Sequence, residues 1–232
     1  AGCVLANRLS EDPAVEVLLL EAGKKDKHPN ISIPAAFSKL FKTDYDWAFY
    51  STPQTHMNNQ ELFLPRGKTL GGCSSINAMI YIRGHRLDFD HWADLGNRGW
   101  GYDDVLPYFK KSMHQERGAD GYHGVEGPLN VADVREPFPM SQAFVKAGIE
   151  LGHPANPDFN GESQDGFGMY QVTQKDGKRY SAAKAFLKPI MKRPNLKVLT
   201  ESPVTRIIIE NGKAVGVEYQ TSTHVAEARV RK

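Results

Sequence analysis

The residues best suited to chemistry lie in one glycine-rich run between positions 64 and 79. Glycine allows backbone conformations closed to other residues, and it removes the side-chain bulk that would keep backbone N–H groups from an anion or a ring carbonyl. Small hydroxyls and a carboxamide beside the glycines add hydrogen-bond donors and acceptors. The run therefore predicts a ligand-binding loop, with a loop that merely turns a corner as the alternative. Its glycine and polar residues are Gly67, Gly71, Gly72, Ser74, Ser75 and Asn77.

A second candidate ligand group, Glu21, stands near the start of the chain. A helical pattern through Leu9 stops at Pro13, and the apolar run at 15–20 predicts a parallel strand buried on both faces. In a dinucleotide-binding unit, the last glycine of G-x-G-x-x-G opens the helix, and an acid about 20 positions later binds the ribose. Gly2 and Glu21 have close to that spacing, so we expect the earlier part of the motif to precede Ala1. A helix and strand without a ligand would show the same pattern.

Together these segments resemble the glucose-methanol-choline (GMC) oxidoreductases, in particular the bacterial choline dehydrogenase-like and alcohol dehydrogenase-like branch. The resemblance covers essentially the whole chain, as an amino-terminal and middle fragment of such a protein. The segments that carry it include 2–6, 18–23, 64–68, 70–72, 74–79, 81–84, Asp46-Trp47, Gly99-Trp100, Gly127-Pro128 and Ser181-Ala182-Ala183.

The resemblance implies an α/β fold, α+β overall, with an FAD-binding Rossmann-like domain and an incomplete second, substrate-binding domain. We expect residues 1–118 to form the FAD-binding domain without its first strand. The change at about Gly118 to short extended pieces with Gly, Pro, Asp and Asn turns places the start of the substrate domain at 119–180. Residues 181–232 would then return to the FAD-binding domain.

The implied cofactor is FAD. Glu21 would hold the adenosine ribose, the backbone at Val204 would contact the adenine, and the segment from Arg66 to Met79 would run beneath the pyrophosphate and the isoalloxazine ring. Taken without the resemblance, Val204 is better explained as a core strand residue. The full set of implied cofactor-binding residues is Gly2, Glu21, Ala22, Arg66, Gly67, Leu70, Gly71, Gly72, Cys73, Ser74, Asn77, Ala78, Met79 and Val204.

Two departures from the family pattern are informative. Members that attach FAD covalently have a histidine immediately before the asparagine of this loop, and the chain has Ile76 there, so we expect a non-covalent flavin. Many relatives have serine where Cys73 stands. A thiol fills the same space and leaves the backbone N–H unchanged.

The family oxidises alcohols by passing the hydroxyl proton to a histidine while hydride moves to flavin N5, and histidine suits that task because its pKa lies near working pH. That histidine would follow Lys232, so we assign no catalytic residue and expect the 232 residues to be inactive alone. His85, His91 and His123 are interpreted as structural. Two alternatives remain: a hydroxynitrile lyase-type FAD protein on the same scaffold, or a non-catalytic fragment that cannot retain FAD.

Composition agrees with a small-molecule enzyme. The 232 residues include 29 basic and 27 acidic side chains, and a formal charge of +2 does not suggest a nucleic-acid partner. No apolar run approaches the roughly 18 residues of a membrane span. Two cysteines make a disulfide framework improbable and fit a cytoplasmic location.

The absence of HExxH, paired CxxC, GxSxG and Walker motifs leaves metal, hydrolase and NTPase functions without support. Choline, aliphatic and aromatic alcohols remain open as substrates, as does the electron acceptor.

Three further local predictions concern structure. A helix after Asp103 or Asp104 tolerates Pro107 only in its first turn. A helix from Ser141 to about Leu151 should bury one apolar side, and Asn211-Gly212 predicts a type I′ hairpin. The residues expected on the buried side of the second helix are Phe144, Val145, Gly148 and Ile149.

Overall fold

The computed structural model describes residues 1–230, which divide into two compact units. Unit 1 comprises Ala1–Ala78 together with the chain from Ser181 onward, and unit 2 comprises Met79–Tyr180. The boundaries of this geometric division fall after Ala78 and after Tyr180. Compactness is a geometric property, so the assignment of cofactor and substrate roles to these stretches stays a prediction.

Unit 1 begins with a helix and a strand that lead to the candidate acid. Helix α1 (Gly2–Leu9) is followed by β1 (Val17–Leu20), as the sequence predicts. A short helix α2 (Pro29–Ser32), a 3-10 helix (Pro34–Leu40) and the hairpin β2 (Phe49–Tyr50) with β3 (Phe63–Leu64) come next. Ile31, Leu40 and Ile76 form a buried apolar cluster beneath them.

Strand β1 pairs in parallel with β10 (Leu196–Leu199), with Val17 opposite Leu196 and Leu20 opposite Leu199. The parallel arrangement confirms the sequence prediction. The predicted burial on both faces is wrong, because Leu18 is 38% exposed and Val17, Leu19 and Leu20 are only partly buried. Among residues 1–230, β10 is the one strand hydrogen-bonded to β1.

The rest of unit 1 is an antiparallel sheet of β11 (Val204–Glu210), β12 (Lys213–Gln220) and β13 (Val225–Arg229). Asn211 and Gly212 join the first two strands with φ angles of +51° and +75°. Positive φ at both central positions is the type I′ geometry, so the hairpin prediction is confirmed. Before β10 lie a π-helical turn (Ala183–Leu187) and a 3-10 turn (Lys188–Ile190).

Unit 2 contains three helices and several short strand pairs. The helices are α3 (Arg86–Asp94), α4 (Tyr102–Ser112) and α5 (Pro139–Glu150). Strand β4 (Ile80–Tyr81) pairs antiparallel with β7 (Gln171–Val172), and β5 (Met113–Gln115) pairs in parallel with β6 (Leu129–Val131). A tight hairpin of β8 (Gln174–Lys175) and β9 (Lys178–Arg179) completes the unit. None of the helices within residues 1–230 is long and apolar enough to cross a membrane.

Two of the helix predictions are wrong in detail. Pro107 lies in the second turn of α4, because the helix already begins at Tyr102; proline there leaves the Asp103 carbonyl without its helical donor. Helix α5 does not bury the predicted apolar side, since Phe144 is 68% exposed and Ile149 is 40% exposed. Only Gly148 is buried in α5, because the Phe167 ring packs so closely on it that a Cβ would lie 2.3 Å from the ring.

Candidate functional site

The carboxyl end of β1 presents Glu21 in a half-buried position. Its Oε1 accepts a hydrogen bond from the Gly23 backbone N–H at 2.7 Å. Burial raises the pKa of the Glu21 carboxyl, and the backbone N–H groups of Gly23 and Ala22 lower it in part. A carboxylate in this position can accept hydrogen bonds from the hydroxyls of a bound ligand.

The glycine-rich loop lies directly against this end of β1. A Cβ built on Gly23 would stand 1.8 Å from the Lys68 carbonyl oxygen, so only glycine allows the two backbones to approach so closely. The Leu70 N–H and the Thr69 hydroxyl both donate to the Lys24 carbonyl, at 3.2 and 2.8 Å. The two ligand-binding elements predicted from the sequence are therefore in contact within unit 1.

The start of α1 meets the same loop. Burial raises the pKa of the Cys3 thiol, the Gly71 backbone N–H lowers it in part, and the charges of Glu21 and Asp26 raise it further. No side chain caps the first turn of α1, which begins at Gly2. Unpaired N–H groups and the helix dipole make such a terminus favourable for phosphate.

Within the loop, glycines make the chain fold back on itself. A Cβ on Gly67 would meet the Gly72 carbonyl oxygen at 2.2 Å, and the Gly67 N–H points to the Cys73 sulfur at 3.4 Å. Gly71 and Gly72 have φ angles of +91° and +56° and lead into a 3-10 turn (Gly72–Ser75). No atom lies within 4 Å of a Cβ built on Gly72, so this part of the loop faces open space.

The serine hydroxyls shape the loop from inside. Ser75 is fully buried and donates to the Leu70 carbonyl at 2.7 Å, so the expectation that it offers a donor to a ligand is wrong. Ser74 donates to the Gly71 carbonyl at 2.7 Å and accepts from the Ala182 N–H at 2.9 Å. Its hydroxyl therefore joins the loop to the turn that precedes β10.

The remaining predicted residues differ in exposure. Leu70 is buried beneath the loop, whereas four others are exposed, namely Arg66, Cys73, Asn77 and Ala78. Met79 is the first residue of unit 2; it is buried, has a φ of +63°, and its carbonyl accepts from the Thr173 N–H at 2.8 Å. Val204 is 46% exposed at the start of β11. The Ser202 N–H donates to the Glu21 carbonyl at 2.9 Å, which brings that strand start to the end of β1.

Sequence reasoning missed the residues that position the loop. Buried Asp46 accepts from the backbone N–H groups of Arg66, Ala48 and Lys42 at 2.8, 3.0 and 2.9 Å. Asp26, also buried, pairs with Lys188 at 2.7 Å. Asp46 belongs to the Asp46-Trp47 pair that resembles the family, but its role as a hydrogen-bond acceptor for the loop depends on Arg66, which lies 20 positions further along the chain.

The three histidines considered in the sequence have structural surroundings in unit 2. His85 caps α3 by accepting from the Leu87 N–H at 3.2 Å, and His91 is an exposed residue of that helix. His123 is buried, with Nδ1 2.8 Å from Asp120. Within residues 1–230, no group of three or more His, Cys, Asp or Glu side chains could hold a metal ion.

A helix start, an acid at the end of the next strand and a glycine-lined loop, all in contact, define a nucleotide-cofactor-binding α/β protein. The family model for GMC oxidoreductases matches residues 4–232, and the chain belongs to that family. The predicted fold class is confirmed, since this part of the family is its FAD-binding domain.

Curated relatives agree with the assignment. The alcohol dehydrogenase [acceptor] of Pseudomonas putida is 50% identical over 94% of this chain and 40% of its own length. The oxygen-dependent choline dehydrogenase of Brucella ovis is 46% identical over 100% of this chain and 42% of its own length. The chain thus spans about two-fifths of the relatives that it matches.

Solved structures show the same fold. Pyridoxine 4-oxidase from Mesorbium loti superposes with a TM-score of 0.94 at 38% identity, over 98% of this chain and 45% of that one. An FAD-dependent oxidoreductase from Chaetomium thermophilum superposes with a TM-score of 0.89 at 32% identity, over 99% of this chain and 42% of that one.

Proposed function

We propose that these residues form the FAD-binding part of an enzyme that oxidises an alcohol to an aldehyde. The observation that supports this most strongly is the backbone contact between Gly23 and Lys68. It places the glycine-rich loop beside Glu21, and the Gly71 N–H of the same loop is near enough to Cys3, in the first turn of α1, to lower the pKa of its thiol. The start of α1, Glu21 and the glycine-rich loop therefore lie near one another within unit 1.

The residues fit FAD as judged from their own chemistry. The uncapped first turn of α1 would bind the pyrophosphate, and the Glu21 carboxylate would accept hydrogen bonds from the adenosine ribose hydroxyls. The open side of Gly72 and the exposed Asn77 and Ala78 leave room for a flat ring. When bound, FAD would accept a hydride from the carbon that bears the hydroxyl group.

We propose that the flavin is held without a covalent bond. Ile76 occupies the position where covalently flavinylated members have a histidine, and its aliphatic side chain is buried. Acid precipitation of the full-length protein should release the yellow colour into the supernatant. Colour that stays in the pellet would contradict the proposal.

The proton acceptor of the reaction is proposed to lie outside the 232 residues. His85 and His123 are engaged within unit 2, and neither belongs to the cluster around Glu21. The chain alone should therefore not oxidise alcohols. Turnover by the isolated 232 residues would overturn this assignment.

The substrate class is proposed as a primary alcohol, in line with the names of the alcohol and choline dehydrogenase relatives. The test is an anaerobic titration of the full-length, flavin-loaded protein with choline, a short aliphatic alcohol and benzyl alcohol. At least one of them should bleach the oxidised flavin absorbance. A flavoprotein that no alcohol bleaches would favour a lyase-type function without net redox chemistry.

A further inference from the structure

Unit 2 buries a guanidinium group that has no anionic partner. Arg83 is 6% exposed, and no carboxylate among residues 1–230 lies within ion-pair distance of it. Its Nη1 donates to the Tyr122 carbonyl at 3.0 Å and its Nη2 to the Met113 sulfur at 3.0 Å. Its Nε has no hydrogen-bond partner. A carbonyl and a thioether are neutral acceptors, so the positive charge is uncompensated.

Aromatic faces offset only part of this charge. The guanidinium carbon lies 5.0 Å from the Phe109 ring centre and 6.0 Å from that of Tyr81. Cation–π contacts at these distances are weaker than a paired carboxylate, while burying a charge without a counter-ion is among the costlier arrangements in a protein. A bound anion would remove most of that cost.

Arg83 also lines a cavity large enough for such an anion. The cavity has a volume of about 330 Å³, which exceeds that of a single water several-fold. The charged groups on its wall besides Arg83 are Arg86, which pairs with exposed Asp103 at 2.7 Å, and the exposed carboxylate of Glu162. The remaining wall includes His85, Tyr122 and Asn160.

The backbone around Arg83 is fixed before any ligand arrives. Its N–H donates to the Asn160 side-chain oxygen at 2.8 Å, and the Gln164 amide donates to its carbonyl at 3.0 Å. The Asn160 amide in turn donates to the Tyr81 carbonyl at 3.1 Å. Groups held in this way lose little entropy on binding, which favours affinity for a small ligand.

We propose that this cavity binds a small oxyanion, a carboxylate or phosphate group, with Arg83 as its principal cation. The planar guanidinium suits such groups because its N–H donors match their oxygen spacing. The site lies within Met79–Tyr180 and is independent of the flavin assignment.

The test measures binding of inorganic phosphate, and separately of acetate, to the full-length protein by calorimetry, with sodium chloride at matched ionic strength as the blank. Wild type should bind at least one of them saturably. Arg83→Gln should weaken that binding at least about tenfold, as loss of a charge-assisted contact predicts. Arg135→Gln is the matched control, because Arg135 is exposed and does not line the cavity.

A second variant keeps the test decisive if Arg83→Gln does not fold. Glu162→Gln removes the one carboxylate of the cavity wall from an exposed position, so the protein should fold and bind the anion more tightly. Absence of saturable binding in wild type, equal binding by Arg83→Gln, or no gain in Glu162→Gln would each overturn the proposal.

Discussion

The position of Glu21, which we propose binds the ribose, has an electrostatic cost. Burial raises the pKa of its carboxyl, so the folded protein disfavours the ionised form that the unfolded chain adopts above a pKa of about 4.5. Its contribution to stability is therefore greatest below the unfolded pKa and is lost as pH rises through the folded pKa. The carboxylate of the proposed ribose site is thus only partly satisfied in the free protein.

In the flavin-free, full-length protein, the substitution Glu21→Gln should remove the loss of stability that ionisation of the Glu21 carboxyl causes as pH rises. The difference in free energy of unfolding between the variant and wild type should grow in favour of the variant as pH rises above the unfolded pKa of about 4.5, and it should level off above the raised folded pKa. Urea unfolding across that range measures it. Glu11→Gln is the control, since Glu11 is exposed and pairs with Arg8. A difference that stays constant or shrinks with pH would contradict the account.

At position 23, only glycine allows the close backbone contact with Lys68 of the glycine-rich loop. Gly23→Ala would place a methyl group 1.8 Å from the Lys68 carbonyl oxygen, and neither backbone can move without displacing β1 or the loop. We expect a loss of about 3 kcal/mol in unfolding free energy, at the upper end for overpacking. Chemical denaturation measures it. Gly121→Ala, where no atom lies within 4 Å of a Cβ, should be neutral or slightly stabilising. Equal effects of the two variants would refute the packing argument.

The loop is also held by the turn around Asp46, which joins it to the hairpin of β2 and β3. Asp46→Ala would leave three backbone N–H groups without their acceptor, at a cost of about 1–3 kcal/mol in unfolding free energy. It should also weaken flavin binding, because Arg66 loses its anchor. Thermal unfolding and flavin titration measure both effects. Asp44→Ala, at an exposed ion pair with Lys24, should change little; a similar loss there would contradict the positioning role.

Local sequence patterns predicted α1, β1 and the hairpin at Asn211-Gly212, because helix-stop signals, apolar runs and turn residues act within a few positions of the element that they specify. The same signals misjudged α5, whose apolar side chains are largely exposed, and Pro107, whose place in the second turn depends on where α4 begins. Which residues come together in the candidate site could be predicted only from the resemblance to the family. The contact of Gly23 with Lys68 joins distant parts of the chain, and no local pattern encodes it.

At the scale of the whole molecule, residues 1–230 expose many large apolar side chains. Among the exposed side chains are Leu5, Leu9, Val204, Ile207 and Ile209. Exposed apolar patches and open strand edges favour association. Expressed alone, the chain should form soluble aggregates or precipitate, as size-exclusion chromatography would show. A monodisperse product with a cooperative melting transition would be the opposite outcome.

The central claim is that Glu21 and the glycine-rich loop together bind FAD. It is tested most directly by titrating the flavin-free, full-length protein and its Glu21→Gln variant with FAD and with FMN, following flavin fluorescence. FMN lacks the adenosine ribose, so the substitution should weaken FAD binding by about tenfold to a hundredfold and leave FMN binding unchanged. Equal affinity of both proteins for FAD, or an equal loss for FAD and FMN, would contradict the account.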